Sequence, residues 1–267
     1  MDEVPVENQE TVAVEFSIGV GRGKLTATAV VPKGQTNLTA ILPILQSLDD
    51  SLVAGVSSQL NRETGHVVSC RAGCGACCRQ MVPLSIFEAE ALAGWIRSLP
   101  EVRQQELARR FDEALRKLAS AGLIDRMMRE EWLTETESGR DLALEYLYQR
   151  IACPFLEEES CSIHPIRPLI CREYLVTSPA EYCFDPATLM AVPVPLPFHL
   201  SKVLNRIGAE LENDSRGWIP LLFLFAWMKA GASPGEGVSG EGPEVLYEVI
   251  SRLGDARGGL DSGTASS

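Results

Sequence analysis

The sequence predicts a mainly α, α+β protein: a helical domain with an N-terminal β-hairpin, pinned by a cysteine-rich metal site. Three observations predict it. Apolar residues alternate at every second position near the start of the chain, which is the period of a half-buried strand. Further along they recur at three- and four-residue steps, the period of a helix face. All eight cysteines fall in two stretches, CRAGCGACC from Cys70 to Cys78 and CPFLEEESCSIHPIRPLICREYLVTSPAEYC from Cys153 to Cys183.

The hairpin comes first. Residues Met1 to about Glu10 are polar and aperiodic, and are expected to fray. Val12, Val14, Phe16, Ile18 and Val20 then share one strand face, Gly21-Arg22-Gly23 supplies a turn, and Leu25 to Val31 reads as the returning strand. An isolated hairpin is marginal in water, so its apolar face is expected to lie on the helices that follow.

From Thr39 to about Asn61 the residues Leu42, Leu45, Leu48, Leu52, Val53, Val56 and Leu60 form one helical stripe, with Pro43 acceptable only in its first turn. Gly65 and an extended HVVSC then deliver the chain to Cys70. Glycines on both sides of Cys74 let the backbone curl so that several sulfurs can point inward. Ser85-Ile-Phe-Glu88 is a capping box opening a helix through Leu99. Pro100 separates it from a helix carrying Val102, Leu107, Phe111, Leu115 and Leu118 inward. Gly122 ends that helix, a shorter one runs through Trp132, and Asp141 to Ile151 forms another.

This helical insert separates the cysteine groups, so the fold must bring them back together, as a helical hairpin can. Pro168 opens a short helix, Leu169 to Leu175, that carries Cys171. Met190 to Phe198, with prolines at 193, 195 and 197, reads as extended. Leu200–Leu211 is amphipathic, and Trp218–Met228 reads as a buried helix. The expected organisation is hairpin and helix over 1–66, a cysteine-bearing helical domain over 67–230, and a flexible acidic linker and tail over 231–267 with a marginal helix from Glu244 to Leu253.

Composition bounds the partners. At 267 residues with 45% hydrophobic and 22% charged content, the chain can bury a full core. A net charge of -12 disfavours nucleic acid, which is bound by clustered Lys and Arg. No positively charged start followed by an apolar core appears, and the longest apolar run is too short to span a bilayer, so no membrane is expected. A cytoplasmic, reducing location is the default expectation, with any protein partner unidentified. There, closely spaced cysteines act as metal ligands or redox groups more often than as disulfides.

Thiolates at C-x3-C-x2-C-C spacing can converge on one metal or cluster, because soft sulfur suits zinc and iron–sulfur centres. Cys70, Cys74, Cys77, Cys78, Cys153, Cys161, Cys171 and Cys183 are the candidate metal ligands. Adjacent side chains tend to diverge, so one of Cys77 and Cys78 is a candidate either for a second metal or for a packed thiol without a metal. A thiolate-bound zinc or [4Fe–4S] centre is negatively charged and costly to bury without donors nearby. Arg71, Arg79, Arg167 and Arg172 flank cysteines and are candidates to offset that charge and to donate hydrogen bonds to sulfur, with His164 beside them. Tyr174 is a core or rim residue with a smaller claim to hydrogen-bond the centre, and His66 and His199 have weaker claims.

These residues resemble the YkgJ-like cysteine-cluster family of the CxxCxxCC type, described as zinc- or iron-chelating domains, with a related region in flagellin lysine methylases. The matching positions are Cys70, Cys74, Cys77 and Cys78, then Cys153 to Leu156, Cys161 to Pro168, and Cys171 to Tyr174. The resemblance implies zinc or iron as cofactor, a [4Fe–4S] cluster being one form, and leaves open whether the chain is an enzyme.

Three other readings compete. Cys70-x3-Cys74-x2-Cys77 matches the cluster spacing of radical S-adenosylmethionine enzymes, although Ala76 stands where an aromatic is usual and no strand–helix repeats follow to build a barrel. Cys74-x2-Cys77 could exchange disulfides, yet lacks a thioredoxin-like strand–helix context. A structural zinc in an interaction module is the third. No P-loop, dinucleotide fingerprint, nucleophile elbow or zinc-protease motif is present.

Overall fold

The computed structural model describes residues 10–20, 23–71, 73–128, 137–212, 217–232 and 237–253. In chain order the elements are β1 (Thr11–Val20), β2 (Gly23–Pro32), β3 (Gln35–Asn37), α1 (Leu42–Thr64), β4 (Pro83–Ser85), α2 (Ile86–Ser98), α3 (Glu101–Ser120), α4 (Ile124–Met128) and α5 (Glu137–Tyr148). There follow β5 (Leu156–Glu157), β6 (Ser160–Cys161), α6 (Leu169–Glu173), α7 (Leu200–Glu212), β7 (Trp218–Pro220), α8 (Leu224–Lys229), β8 (Ser239–Glu241) and α9 (Gly242–Ser251). Short 3-10 turns lie at Ala76–Arg79, His164–Ile166, Ala180–Phe184 and Leu221–Phe223. The chain is mainly helical, and its described strands pair only in two-stranded antiparallel sheets: β1 with β2, β3 with β8, β4 with β7, and β5 with β6.

The hairpin pairs from Thr11 opposite Pro32 to Val20 opposite Gly23. Ile18, Ala29 and Val31 enter a first core with Leu42, Leu45 and Leu52 of α1, Leu200, Val203, Leu204 and Ile207 of α7, and Val245, Leu246 and Val249 of α9. The alternation and the helical stripe therefore bury the same interface from both sides. A second core gathers Leu107, Phe111 and Leu118 of α3, Met127, Leu142, Tyr146 and Phe155, and the Leu221–Leu224 turn. Helix α2 divides the two, with Ile86 and Phe87 in the first and Ala89, Leu92 and Ile96 in the second. Its N-terminus carries the expected capping box: Ser85 Oγ accepts from the Glu88 backbone N–H, and Glu88 accepts from the Ser85 N–H.

The structure corrects two expectations. Trp218–Met228 is not one helix: Pro220 ends β7, which pairs Pro83 with Pro220 and Ser85 with Trp218, and helix resumes only at Leu224. Nor does a flexible tail begin at 231. β8 pairs with β3, and α9 is an amphipathic helix with a Glu241/Glu244 capping box whose apolar face fills the first core. The GlyPro start of α9 and its exposed polar face conceal that burial in the sequence. The expected tip of the hairpin turn, the helix through Trp132 and the last residues of the tail fall wholly or partly outside the described residues. No helix among the described residues is long and apolar enough to cross a membrane.

Candidate metal centre

The first cysteine loop folds as its glycines require. Gly73 adopts φ +79°, a left-handed turn open to glycine at little cost. A Cβ on Gly75 would lie 2.5 Å from Glu159 Oε2 and 2.8 Å from Leu156 Cδ1, so any larger residue must displace the ends of these two side chains where the loop presses against the β5–β6 hairpin. The turn Ala76–Arg79 then buries Ala76 and places Cys77 and Cys78 on successive positions of a tight helix.

The second stretch returns to this loop through the main chain. Cys153 N–H donates to Cys78 O at 2.8 Å, Ser69 N–H donates to Val176 O at 3.0 Å, and Ser69 Oγ donates to Ser178 O. Gln80 Nε2 donates to Cys183 O at 3.4 Å and to the Tyr174 hydroxyl at 3.3 Å. Cys161 stands opposite Leu156 in the β5–β6 hairpin, and Cys171 sits in the middle of the one-turn helix α6, its N–H donating to Pro168 O at 3.0 Å. Glu88, beyond its capping role, accepts from the Leu169 N–H at 2.7 Å and so fastens the start of α6 to α2. The two groups, remote in sequence, meet in space.

All eight cysteines are free thiols, Cys183 buried and the others half-buried. Cys70, Cys74, Cys77 and Cys183 pack together around Ala76 and Val176, whereas Cys153 and Cys161 pack against the second core. Burial pushes the thiols of Cys70 and Cys161 up, Cys153 to about 12, Cys183 to about 11, and Cys171 well above the ordinary thiol value. The adjacent Cys78 thiol lowers the pKa of Cys77, and Cys77 together with burial raises that of Cys78. Tyr174 lies beside this group, and its hydroxyl lowers the Cys183 thiol against the upward push of burial. Among the described residues no three His, Cys, Asp or Glu side chains already converge as a ligating set. Protonated thiols at hydrogen-bonding or packing distance have no reason to converge, and metal binding removes those protons.

The flanking arginines divide in role. Arg167 faces the thiols: its charge favours ionisation of Cys70, Cys77 and Cys161. Its Nε is buried without a hydrogen-bond partner, while Nη1 lies 2.7 Å from His164 Nε2. His164 is largely exposed, and the partial desolvation of its ring together with the Arg167 charge lowers its pKa. Arg172 departs from expectation: its donors go to Asp50 Oδ2 at 2.6 Å, Arg167 O at 3.0 Å and Pro165 O, not to sulfur. It still lies near enough to favour ionised Cys161. Arg79 forks onto Glu159 at 2.6 and 3.0 Å, donates to Gly75 O at 2.8 Å, and stacks 5.3 Å from the Phe184 ring, locking the loop to the β5–β6 turn. Arg71 is exposed. His199 bonds Glu173 at 3.1 Å, and His66 is exposed.

Asp49 was not expected as a buried charge. It is fully buried on α1, and neither carboxylate oxygen has a partner. The signal was available, since Leu45, Asp49 and Leu52 follow the helical stripe and set an acid on its inner face.

Soft thiol donors on two segments, clasped by main-chain hydrogen bonds and accompanied by the half-buried Arg167, whose buried Nε–H has no partner, suit a thiolate-bound metal. The fold and site thus define a mainly helical protein with a two-segment thiol centre. Residues 69–188 match the CxxCxxCC family model, described as a "putative zinc- or iron-chelating domain", a similarity that supports metal binding. No curated protein and no solved structure matches the chain.

Proposed function

We propose that the chain is a metal-binding protein that holds zinc or iron, the iron as an iron–sulfur cluster or a thiolate-bound ion, through Cys70, Cys74, Cys77, Cys78, Cys153, Cys161, Cys171 and Cys183. The observation that carries this reading is the 2.8 Å bond from Cys153 N–H to Cys78 O, which sets the late cysteines directly beside the early ones. Bound zinc would supply a closed tetrahedral cross-link, and an iron–sulfur cluster an electron-transfer group. Arg167 would offset thiolate charge and offer its Nε–H to sulfur. Arg79 would hold the loop in place, and Tyr174 would orient Cys183.

A radical S-adenosylmethionine enzyme is disfavoured, because the described strands form only two-stranded antiparallel sheets and provide no parallel barrel. The acidic chain, with a net charge of -12, is read as acting in the cytoplasm away from nucleic acid. Elemental analysis and visible absorption of anaerobically purified protein test the proposal. Brown protein with iron and sulfide identifies an iron–sulfur centre, and colourless protein with stoichiometric zinc a structural one. Protein that is metal-free at every stage, and takes up neither metal, refutes it.

A further inference from the structure

The apolar stripe of α1 is longer than the protein that covers it. Leu42, Leu45 and Leu52 are buried in the first core, whereas Leu48 and Val56, on the same stripe, are only half-buried. Beside them lies a cleft of about 590 Å³, walled by α1, by Phe16 and Ile18 of the hairpin, and by Phe198 and Ile250. Protein interiors keep few voids larger than a water molecule, and this one has the size of a small-molecule site, typically about 300–1,000 Å³. We propose that the cleft between the hairpin and α1 binds one long-chain acyl lipid, its hydrocarbon chain lying along α1 and its polar head at the rim. The proposal involves none of the thiols and stands apart from the metal-binding reading.

The walls select the chemistry of the ligand. No described residue lining the cleft is charged, so a charge carried into it would go unpaired. The polar residues there, Thr26, Ser51 and Gln59, are exposed and already bonded: Thr26 to Ser17, Ser51 to Ser47 O, and Gln59 to Glu63. They form a wet rim over an apolar interior, the division an amphiphile needs. Along α1 the lining runs from Leu48 to Gln59, about 16 Å at 1.5 Å per residue. At about 30 Å³ for each water-sized group, the volume takes roughly 20 non-hydrogen atoms. So few atoms over that length describe an extended chain rather than a compact ring system.

Gly55 is an independent sign. It sits in the middle of α1, where glycine weakens a helix, and its φ is not positive. Packing does not require it either: beyond its chain neighbours and its own helix backbone, no described atom comes within 4 Å of where a Cβ would stand. Yet Gly55 lines the cleft, one turn from Ser51 and one from Gln59. Bare backbone at this place leaves room for a ligand to lie against the helix. The ends of the chain outside the described residues do not suit the cleft. Residues 254–267 contain one large apolar residue, Leu260, and residues 1–9 carry three acids.

The test is a fluorescence titration of the full-length chain, as purified, with the neutral dye N-phenylnaphthylamine. Palmitic acid and cetyl alcohol then compete, each below its solubility limit. Expected is saturation at one dye per chain and displacement by both lipids alike, because the rim offers no charge to read the head. Gly55→Leu fills the cleft and strengthens the helix. It should weaken both lipids at least tenfold, with the thermal midpoint unchanged or raised and metal content unchanged. Absence of saturable binding, displacement by neither lipid or by palmitic acid alone, or wild-type affinity in the folded variant each overturns the proposal. A chain that binds no dye but forms a dimer that Gly55→Leu dissociates overturns it in favour of an interface between copies. Should Gly55→Leu not fold, Ala27→Leu on the opposite wall carries the same prediction.

Discussion

At position 49 the inner stripe of α1 calls for an apolar residue and the chain supplies an acid. Burial, the like charges of Glu173 and Asp50, and more weakly Glu88 raise the Asp49 carboxyl to about 8, against the opposing pull of Arg172. The folded state therefore holds a proton that the unfolded chain releases above the ordinary aspartate value. Stability from this group is complete below about pH 4 and declines as the pH rises towards 8, by at most about 6 kcal/mol. Unfolding in denaturant across that range should show the decline, and Asp49→Asn should flatten it; an equally steep wild-type-like slope in the variant would assign it to other groups. Arg167 gives a second prediction at this scale. Removing its charge from the thiol centre with Arg167→Gln should weaken metal retention by about 10- to 100-fold in chelator competition, the usual effect of losing a supporting group around a metal site. Arg172→Gln should act chiefly on stability, because its donors serve Asp50 and two carbonyls. Chain position placed all four arginines near cysteines, but which guanidinium faces sulfur depends on how α6 packs on α1, and short-range pattern does not encode that.

Among the elements, the β5–β6 hairpin that presents Cys161 turns on Glu158 and Glu159, both left-handed at φ 48° and 57°. Such a two-residue turn with both centres at positive φ favours Asn and Gly, so two glutamates leave it strained. Arg79 holds Glu159, and Arg103 and Arg110 hold Glu157 on the flanking strand. Glu158→Gly should thus stabilise the protein by about 0.5–1 kcal/mol, read from the thermal midpoint. Gly75→Ala should do the reverse, costing about 1–3 kcal/mol, because its Cβ would meet Glu159 and Leu156. At this scale the sequence was informative where a local rule acts alone. The alternation of Val12 to Val20, the Ser85–Glu88 capping box and Pro168 at the start of α6 each specify their own backbone. The three-residue strands β3, β4, β7 and β8 were not legible, since each pairs with a partner far along the chain and is too short to show a period.

For the whole molecule, the two cores and the thiol nucleus are mutually dependent. The C-terminal α9 belongs to the first core, so Leu246→Ala should cost about 2–5 kcal/mol by opening a cavity in that core. A flexible tail would tolerate the change without effect, which makes thermal denaturation of this variant a direct check on the corrected boundary. The cysteines were legible from the sequence as a set, because their spacing is itself the chemical signal. The clasp between Cys153 and Cys78 follows from the folded path of α2 to α5, which no spacing reveals. The central claim is that sulfurs from both segments surround the metal, and it is tested most directly by X-ray absorption at the metal edge of the anaerobically purified full chain. A first shell of sulfur alone, at about 2.3 Å, is the predicted result, and a shell of nitrogen or oxygen without sulfur would contradict it.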